Sequence, residues 1–252
     1  MLVVPFGTDI RITWPKGIFM RMSRAVAAVG AAAALSMVSA GVADAQQDII
    51  GGTTVSSAPW GAQIYWNNVT TYGGFECSGT IIAPQWVLTA QHCLNSPGMH
   101  VKVGNVTLQQ GTNANVDQQK ASPNGDIALL HLTTSVNTTY MKLGTGNPPT
   151  QSTNQIYGWG RTQGSSPPST TLKTANVRVT GLSSDAYGGT AIASQGVNGA
   201  AWHGDSGGPQ LYNGVQVGVC STGSNSGSNP QGTQNYASIA ASRSWIRTTA
   251  GV

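Results

Sequence analysis

The sequence predicts an all-β fold, either a barrel or a sandwich. The first observation is a series of short apolar runs rich in β-branched residues, separated by clusters of Gly, Pro, Asn and Ser. The second is composition: 8% of the 252 residues are charged and 33 are Gly, which is typical of a loop-rich β protein. The third is a break at residues 144–149 (Gly-Thr-Gly-Asn-Pro-Pro), which divides the mature chain into two halves of about 100 residues, each sufficient for a small barrel.

The runs predict six strands, and the C-terminus predicts a helix. The strands are Ile64–Trp66, Trp86–Ala90, Val101–Val103, Ile127–Leu130, Val177–Val179 and Val215–Val219. Only the C-terminal stretch indicates a helix, because Ile239, Trp245 and Ile246 precede Gly251.

Residues 1–45 are predicted to be a leader that ends in a secretion signal. Two arginines precede an apolar stretch at 25–40, and an Ala-Asp-Ala cleavage site follows at 43–45. The stretch is short and Ala-rich, which argues against a membrane anchor. Residues 1–19 show no signal-like order and need not be native. We expect a secreted protein without membrane contact in its mature form.

Charge and motif content exclude several function classes. The chain carries a net charge of +4, but four of its twelve basic residues lie in the leader. Residues 46–252 contain eight basic and six acidic side chains and no Lys/Arg run, so no nucleic-acid partner is expected. The sequence has no phosphate-binding loop, no metal-spaced His/Cys cluster and few carboxylates, which predicts neither a cofactor nor a metal.

Three separated motifs carry residues suited to nucleophilic catalysis. His92 lies in a Thr-Ala-Gln-His-Cys segment, Asp126 opens an Asp-Ile-Ala-Leu-Leu run, and Ser206 is central in Gly-Asp-Ser-Gly-Gly-Pro. A serine hydroxyl needs a base to become nucleophilic, and an imidazole oriented by a carboxylate is a suitable one. Glycines around Ser206 allow a tight turn in which the N–H groups of Gly204 and Ser206 form an oxyanion hole.

In this order, the motifs resemble those of chymotrypsin-like (trypsin-fold) serine proteases, in a secreted bacterial-type form. The resemblance covers Ile49 to about Ile246 and implies two packed six-stranded antiparallel β-barrels with a short C-terminal helix. The first barrel would span about 49–145 and the second about 150–252. It also implies a disulfide between Cys77 and Cys93, which bracket the histidine motif. Cys220 is then unpaired, and we expect it to be a small buried apolar residue.

The segment Ile49-Ile50-Gly51-Gly52 resembles the mature N-terminus of this family. The resemblance implies that cleavage frees the α-amino group of Ile49, which then pairs with Asp205. Asp48 precedes the cleavage point, where the digestive relatives have Arg or Lys. We therefore hypothesise that a propeptide of residues 46–48 is trimmed by an activating peptidase that does not require a basic residue.

The specificity pocket departs from the trypsin-like pattern. Ala200 stands six positions before Ser206, where those members carry an Asp, and Ala201 follows. A cationic side chain would be buried there without compensation, so apolar or small P1 residues are expected. Ser221, Thr222 and Gly223 align with the segment that binds substrate backbone, with Thr222 in place of the usual Trp. His203 at the rim and Gln234 at the base are further positions implied near this pocket.

These observations predict a monomeric, secreted serine endopeptidase that acts on protein or peptide substrates. Two alternatives remain open at this stage. One is a non-catalytic binding or adhesion protein on the same fold, and the other is an esterase that uses the same three residues. Turnover and its dependence on Ser206 distinguish them.

Overall fold

Fifteen strands and one α-helix form across residues 49–252, the part of the chain that this computed structural model describes. The predicted leader, its cleavage site and residues 46–48 lie outside the described residues. In chain order the strands are β1 (Ile50–Gly51), β2 (Thr53–Thr54), β3 (Gly61–Trp66), β4 (Phe75–Ala83), β5 (Trp86–Thr89), β6 (Met99–Val103), β7 (Thr112–Ala121), β8 (Ala128–Leu132), β9 (Thr153–Gly158), β10 (Lys173–Ser184), β11 (Thr190–Gly196), β12 (Gly199–Ala200), β13 (Pro209–Tyr212), β14 (Val215–Ser224) and β15 (Thr233–Ser238). The helix α1 spans Ile239–Ala250.

The strands close into two six-stranded antiparallel barrels, which confirms the predicted fold class. The first barrel has the order β3-β4-β5-β8-β7-β6. The second has the order β11-β15-β14-β13-β9-β10, and pairing of β10 with β11 closes it. All six predicted runs fall within or overlap these strands, and Ala90 and Ile127 lie just outside their ends.

Alternation of buried and exposed residues explains why some strands could be predicted from the sequence and others could not. In β6, Met99, Val101 and Val103 are buried while His100 and Lys102 point outward, as the two-residue period of a strand requires. In contrast, β7 has the sequence Thr-Asn-Ala-Asn-Val-Asp-Gln-Gln-Lys-Ala and buries only Ala114. Its pairing with β6 and β8, rather than an apolar face, makes it a strand.

The first residues of the described chain lie against the second barrel. β1 pairs with β12 and β2 pairs with β10, although the boundaries drawn from the sequence counted residues 49–54 with the first half. Ile49 is fully buried in the apolar core of the second barrel, together with Val177 and Tyr236. Burial of this isoleucine draws the segment across the molecule, because a large apolar side chain gains about 1.5–3 kcal/mol by leaving water.

Polar contacts join the two barrels along their seam. The Ser78 N–H donates to the Ser206 carbonyl at 2.8 Å, and the Ser78 hydroxyl donates to the Gly204 carbonyl at 2.9 Å. Elsewhere Thr80 donates to the Gln216 side-chain oxygen at 2.7 Å, and both residues are buried. These bonds hold the loop of residues 204–208, here called the Ser206 loop, against β4 of the first barrel.

The helix α1 confirms the C-terminal prediction. The Ser238 hydroxyl accepts from the Ala241 N–H and caps its N-terminus. Gly251 adopts a left-handed conformation (φ 78°) and ends the helix with an N–H bond to the Arg247 carbonyl. Among residues 49–252, no helix is long and apolar enough to span a membrane.

Cys77 and Cys93 are joined by a disulfide, as the resemblance implied, with a sequence separation of 16. Cys77 lies in β4, and Cys93 closes the turn that carries His92. Cys220 is free and buried, and burial raises the pKa of its thiol well above the ordinary value. This agrees with the expected small apolar role, because an un-ionised buried thiol is inert.

Replacing Cys77 and Cys93 together with alanine should lower the free energy of unfolding by about 3 kcal/mol, because a loop of this size is constrained in the unfolded chain by the bond. Urea unfolding followed by tryptophan fluorescence measures the change. A reducing agent should destabilise the wild type and leave the double variant unaffected. Equal unfolding free energies for the two proteins would contradict the expectation.

Candidate active site

His92 and Asp126 form a hydrogen-bonded pair where two loops of the first barrel meet. His92 lies in the short 3₁₀ turn Gln91–Cys93 after β5, and Asp126 lies between β7 and β8. The His92 Nδ1 is 2.7 Å from Asp126 Oδ2, and the His92 backbone N–H donates to Asp126 Oδ1 at 2.9 Å. Because an ionised carboxylate only accepts, Nδ1 carries the proton and Nε2 is left as an acceptor.

The Asp126 carboxylate is fully buried and surrounded by donors. Burial raises the pKa of its carboxyl group, but the hydrogen bonds and charge of His92 and the bond from Ser221 outweigh burial, so the pKa lies below its ordinary value. The Ser221 hydroxyl donates to Asp126 Oδ2 at 2.6 Å. Ser221 was predicted only as part of the substrate-binding segment, and this contact to the acid was not anticipated.

The Ser206 loop presents two unused backbone donors. Gly204 and Gly207 have positive φ angles of 98° and 79°, which produce the tight turn expected around Ser206. Among residues 49–252, neither the Gly204 N–H nor the Ser206 N–H donates to a protein acceptor. Two neighbouring free donors at the mouth of a cavity suit an oxygen that gains negative charge.

The Asp205 side chain holds this loop in place through two backbone hydrogen bonds. It is buried, with Oδ1 accepting from the Gly160 N–H at 2.7 Å and Oδ2 accepting from the Trp202 N–H at 2.8 Å. A side chain at Gly160 would overlap the Asp205 carboxylate, so this position requires glycine. These bonds tie the Ser206 loop to the segment before it and to the loop after β9.

A cavity of about 340 Å³ lies beside the His92 and Ser206 side chains. Four of the five predicted substrate-binding residues line it, namely Ala201, Ser221, Thr222 and Gly223. Ala200 is buried on β12 and is not among the residues that line this cavity. Trp202, His203 and Cys220 complete the wall, and no charged carboxylate faces the space among these lining residues.

Gln234 reaches the base of this region from β15. Its Oε1 accepts from the Ala201 N–H at 2.7 Å, and the side chain is buried. Its Nε2 has no hydrogen-bond partner within the described residues. The resemblance implied Gln234 near this pocket, and its pairing with Gly223 across β14 and β15 places it beside the cavity wall.

A second cavity, of about 480 Å³, is also lined by His92 and Ser206 and was not predicted from the sequence. Glu76 and Arg161 line it, with Trp66 and Tyr72 among the aromatic residues. Burial raises the pKa of the Glu76 carboxyl group, and the positive charge of Arg161 partly opposes that rise. The two residues are 85 positions apart, and no local pattern marks them as neighbours.

The donor atoms near His92 do not suit a metal ion. The ligand atoms of Cys77, His92 and Cys93 lie within 4.8 Å of one another. However, the two sulfurs are bonded to each other, and a disulfide supplies no thiolate ligand. His92 also commits Nδ1 to Asp126.

The sequence resembles those of known serine proteases along most of its length. A sequence model of the family described as Trypsin matches residues 49–246. Trypsin alpha of Drosophila melanogaster is 33% identical over 236 residues, covering 80% of this chain and 87% of its own. Serine protease SP24D of Anopheles gambiae is 29% identical, covering 81% and 88%. These relatives are insect proteins, so they do not support the bacterial-type subtype expected from the sequence.

Solved structures show the same architecture. Neuropsin, a serine protease expressed in the limbic system of mouse brain, superposes with a TM-score of 0.64 at 25% identity, covering 76% of this chain and 94% of its own. Human heparin binding protein superposes with a TM-score of 0.67 at 22% identity, covering 80% and 96%, and this similarity concerns the fold alone.

The stability contributed by Asp126 should depend on pH in a defined direction. Its pKa is lower in the folded protein than its ordinary value. Its contribution is therefore complete above the unfolded pKa of about 4 and is lost as pH falls through the lower folded value. The difference in unfolding free energy between wild type and Asp126→Asn should be constant above about pH 5 and shrink as the pH falls below about 4.

Chemical denaturation at several pH values measures this difference. Asp117→Asn, at an exposed carboxylate that contacts His131, controls for loss of one negative charge. A difference that stays flat or grows as the pH falls would show that the Asp126 pKa is not lowered by folding.

Proposed function

The chain belongs to the trypsin family of serine endopeptidases, and from this premise we propose that Ser206, His92 and Asp126 are its catalytic triad. The observation that carries the proposal is the His92–Asp126 pair, because His92 lines a cavity together with Gly204 and Ser206, whose N–H groups have no acceptor among residues 49–252. The family acts on protein or peptide substrates, and this arrangement suits hydrolysis of a peptide bond through an acyl-enzyme.

The reaction follows from the proton positions. Nε2 of His92 accepts the proton of the Ser206 hydroxyl as its oxygen attacks the substrate carbonyl carbon. The imidazolium that forms is stabilised by Asp126, which already binds Nδ1. The tetrahedral oxyanion accepts hydrogen bonds from the Gly204 and Ser206 N–H groups. His92 then protonates the leaving amine, and a water molecule releases the acyl group by the same steps in reverse roles.

Activation is proposed to depend on a new N-terminus at Ile49. In this account, removal of the leader (1–45) and the propeptide (46–48) leaves the domain 49–252, and the freed ammonium pairs with Asp205. Burial of both Ile49 and Asp205 supports the proposal, because a buried carboxylate needs a compensating charge. The uncut chain would then hold the Gly204 and Ser206 donors less firmly.

The pocket favours apolar or small P1 side chains in this proposal. The cavity wall offers Ala201, Thr222 and Gly223, and none of its lining residues is the acid that a cationic side chain would need. An Arg or Lys side chain would lose its hydration without a partner. Gln234, a neutral amide, accepts the Ala201 N–H of this wall.

Secretion, a monomeric state and the lack of nucleic-acid or membrane partners are also part of the proposal. The signal pattern at 21–45, the disulfide and the low net charge of the mature chain support them. The alternative of a binding protein on this fold would keep the same architecture without turnover. An esterase would need the same triad and is separated from a peptidase by substrate tests.

The secreted protein should react once with a serine-directed fluorophosphonate, at Ser206. The intact mass of the protein before and after labelling identifies both its N-terminus and the number of adducts. We expect a form that begins at Ile49. Casein and peptide turnover should be abolished in Ser206→Ala and reduced by roughly 10³-fold or more in His92→Ala, because the base is lost. Ser244→Ala, at an exposed serine of α1, serves as a matched control.

Absence of an adduct on a chain that already begins at Ile49 would favour the binding protein. Ester hydrolysis without peptide cleavage would favour the esterase. An active form that begins at another residue would contradict the proposed propeptide and leave the triad unaffected.

Peptides with Ala, Leu or Phe at P1 should be cleaved with kcat/KM roughly 100-fold or more above those with Arg or Lys, because an unpaired buried charge costs about 3–5 kcal/mol. Ala201→Asp adds a carboxylate to the cavity wall and should raise kcat/KM for the basic substrates. A matched set of fluorogenic peptides measures both effects. Preferential cleavage after Arg or Lys by the wild type would overturn the assignment of the pocket.

A further inference from the structure

We propose that Asp185 is a positioning residue for Asp126, acting from the second barrel on the catalytic carboxylate of the first. The inference rests on the triad role proposed above for Asp126. Asp185 lies in the turn between β10 and β11, in a stretch of sequence that none of the three motifs includes. It is 8% exposed, which is unusual for an acid in a hairpin turn.

The two carboxylate oxygens of Asp185 serve different parts of the molecule. Oδ1 accepts from the Tyr187 and Gly189 N–H groups, each at 2.9 Å, and so stabilises its own turn. Oδ2 accepts from the Asp126 N–H, also at 2.9 Å. The hydrogen bonds of the turn use only Oδ1. The other oxygen, Oδ2, is therefore available to accept the backbone N–H of Asp126.

The same turn reaches the Asp126 side chain by a second route. The Ala186 N–H donates to the Ser221 Oγ at 3.0 Å, and the Ser221 hydroxyl donates to Asp126 Oδ2 at 2.6 Å. Asp126 is thus held at its N–H by Asp185 and at its carboxylate through Ser221. Both holding groups come from the second barrel, whereas His92 comes from the first.

Two glycines allow the close backbone approach that the Asp185–Asp126 contact requires. Gly125 precedes Asp126 with φ 139°, and a Cβ there would overlap the Asp185 carboxylate. A Cβ on Gly189 would overlap the Asn124 carbonyl and lie 2.5 Å from the Gly125 Cα. Glycine on both sides therefore lets the turn and the Asp126 loop meet backbone to backbone.

The Asp126 loop keeps its own bonds without Asp185. The Ser122 N–H donates to the Ile127 carbonyl at 2.8 Å, and the Ser122 hydroxyl bonds the Ser242 hydroxyl of α1 at 2.8 Å. Loss of the Asp185 contact should therefore shift the position of Asp126 rather than unfold the loop. A small displacement of an orienting group is costly to the chemical step and affects substrate binding little.

Asp185→Asn is the decisive variant. Its one carbonyl oxygen can still accept from Tyr187 and Gly189 and preserve the turn, but its NH₂ group would then face the Asp126 N–H as a second donor. We expect kcat to fall roughly 10- to 100-fold, with KM and the melting temperature within the range of the control. The control is Asp117→Asn, which makes the same change of charge at an exposed carboxylate.

Backbone amide exchange at Asp126 gives a direct second readout. Its N–H should exchange at least about tenfold faster in Asp185→Asn than in wild type, because its acceptor is lost. Asp185→Ala removes both the turn bonds and the Asp126 contact, so it should lower kcat similarly and the melting temperature further.

Unchanged kcat and unchanged Asp126 exchange in Asp185→Asn would overturn the proposal. So would a loss of kcat that is matched by unfolding of the variant, since Asp185 would then be a structural residue only. An inactive wild type that fails to label at Ser206 would instead contradict the proposed function, and the two failures are therefore distinguishable.

Discussion

A buried negative charge at Asp126 is the constraint on which the site depends. The carboxylate is fully buried, and such a charge is tolerated only with several donors close to it. Those donors come from both barrels: the ring and backbone of His92 from the first, and the Ser221 hydroxyl from the second. The barrels must therefore close on each other in one arrangement for this carboxylate to be satisfied.

The same constraint applies to the other buried acids. Of the five acidic residues in 49–252, Asp126, Asp185 and Asp205 are buried, and all three accept backbone N–H bonds close to the cleft. Glycines approach two of them, because a side chain at Gly125 would occupy the space of the Asp185 carboxylate and one at Gly160 that of the Asp205 carboxylate. In a chain with so few charges, the acids are concentrated where they organise loops rather than spread over the surface.

Two cavities beside Ser206 differ in their chemistry. The cavity beside Ser221 and Gly223 is lined without an acid, and the neutral amide of Gln234 binds its wall. The larger cavity is lined by Glu76 and Arg161 together with aromatic side chains. His92 and Ser206 therefore border one neutral and one charged space.

The three residues proposed for the chemistry and the strands with an apolar face could be identified from the sequence alone. His92, Asp126 and Ser206 stand in short motifs, and runs such as Val101–Val103 carry the two-residue period of a half-buried strand. Polar β7 carries no such period, and it is a strand only because β6 and β8 bond both of its edges.

Tertiary structure alone decided which polar groups support the site. Asp185 meets Asp126 across 59 positions of chain, and Gln234 meets Ala201 across 33. It also placed β1 and β2 on the second barrel, since burial of Ile49 depends on a core that forms far along the chain. Local patterns report which face of a segment is apolar. They cannot report which buried donor meets which acceptor, because that pairing exists only after both barrels have closed.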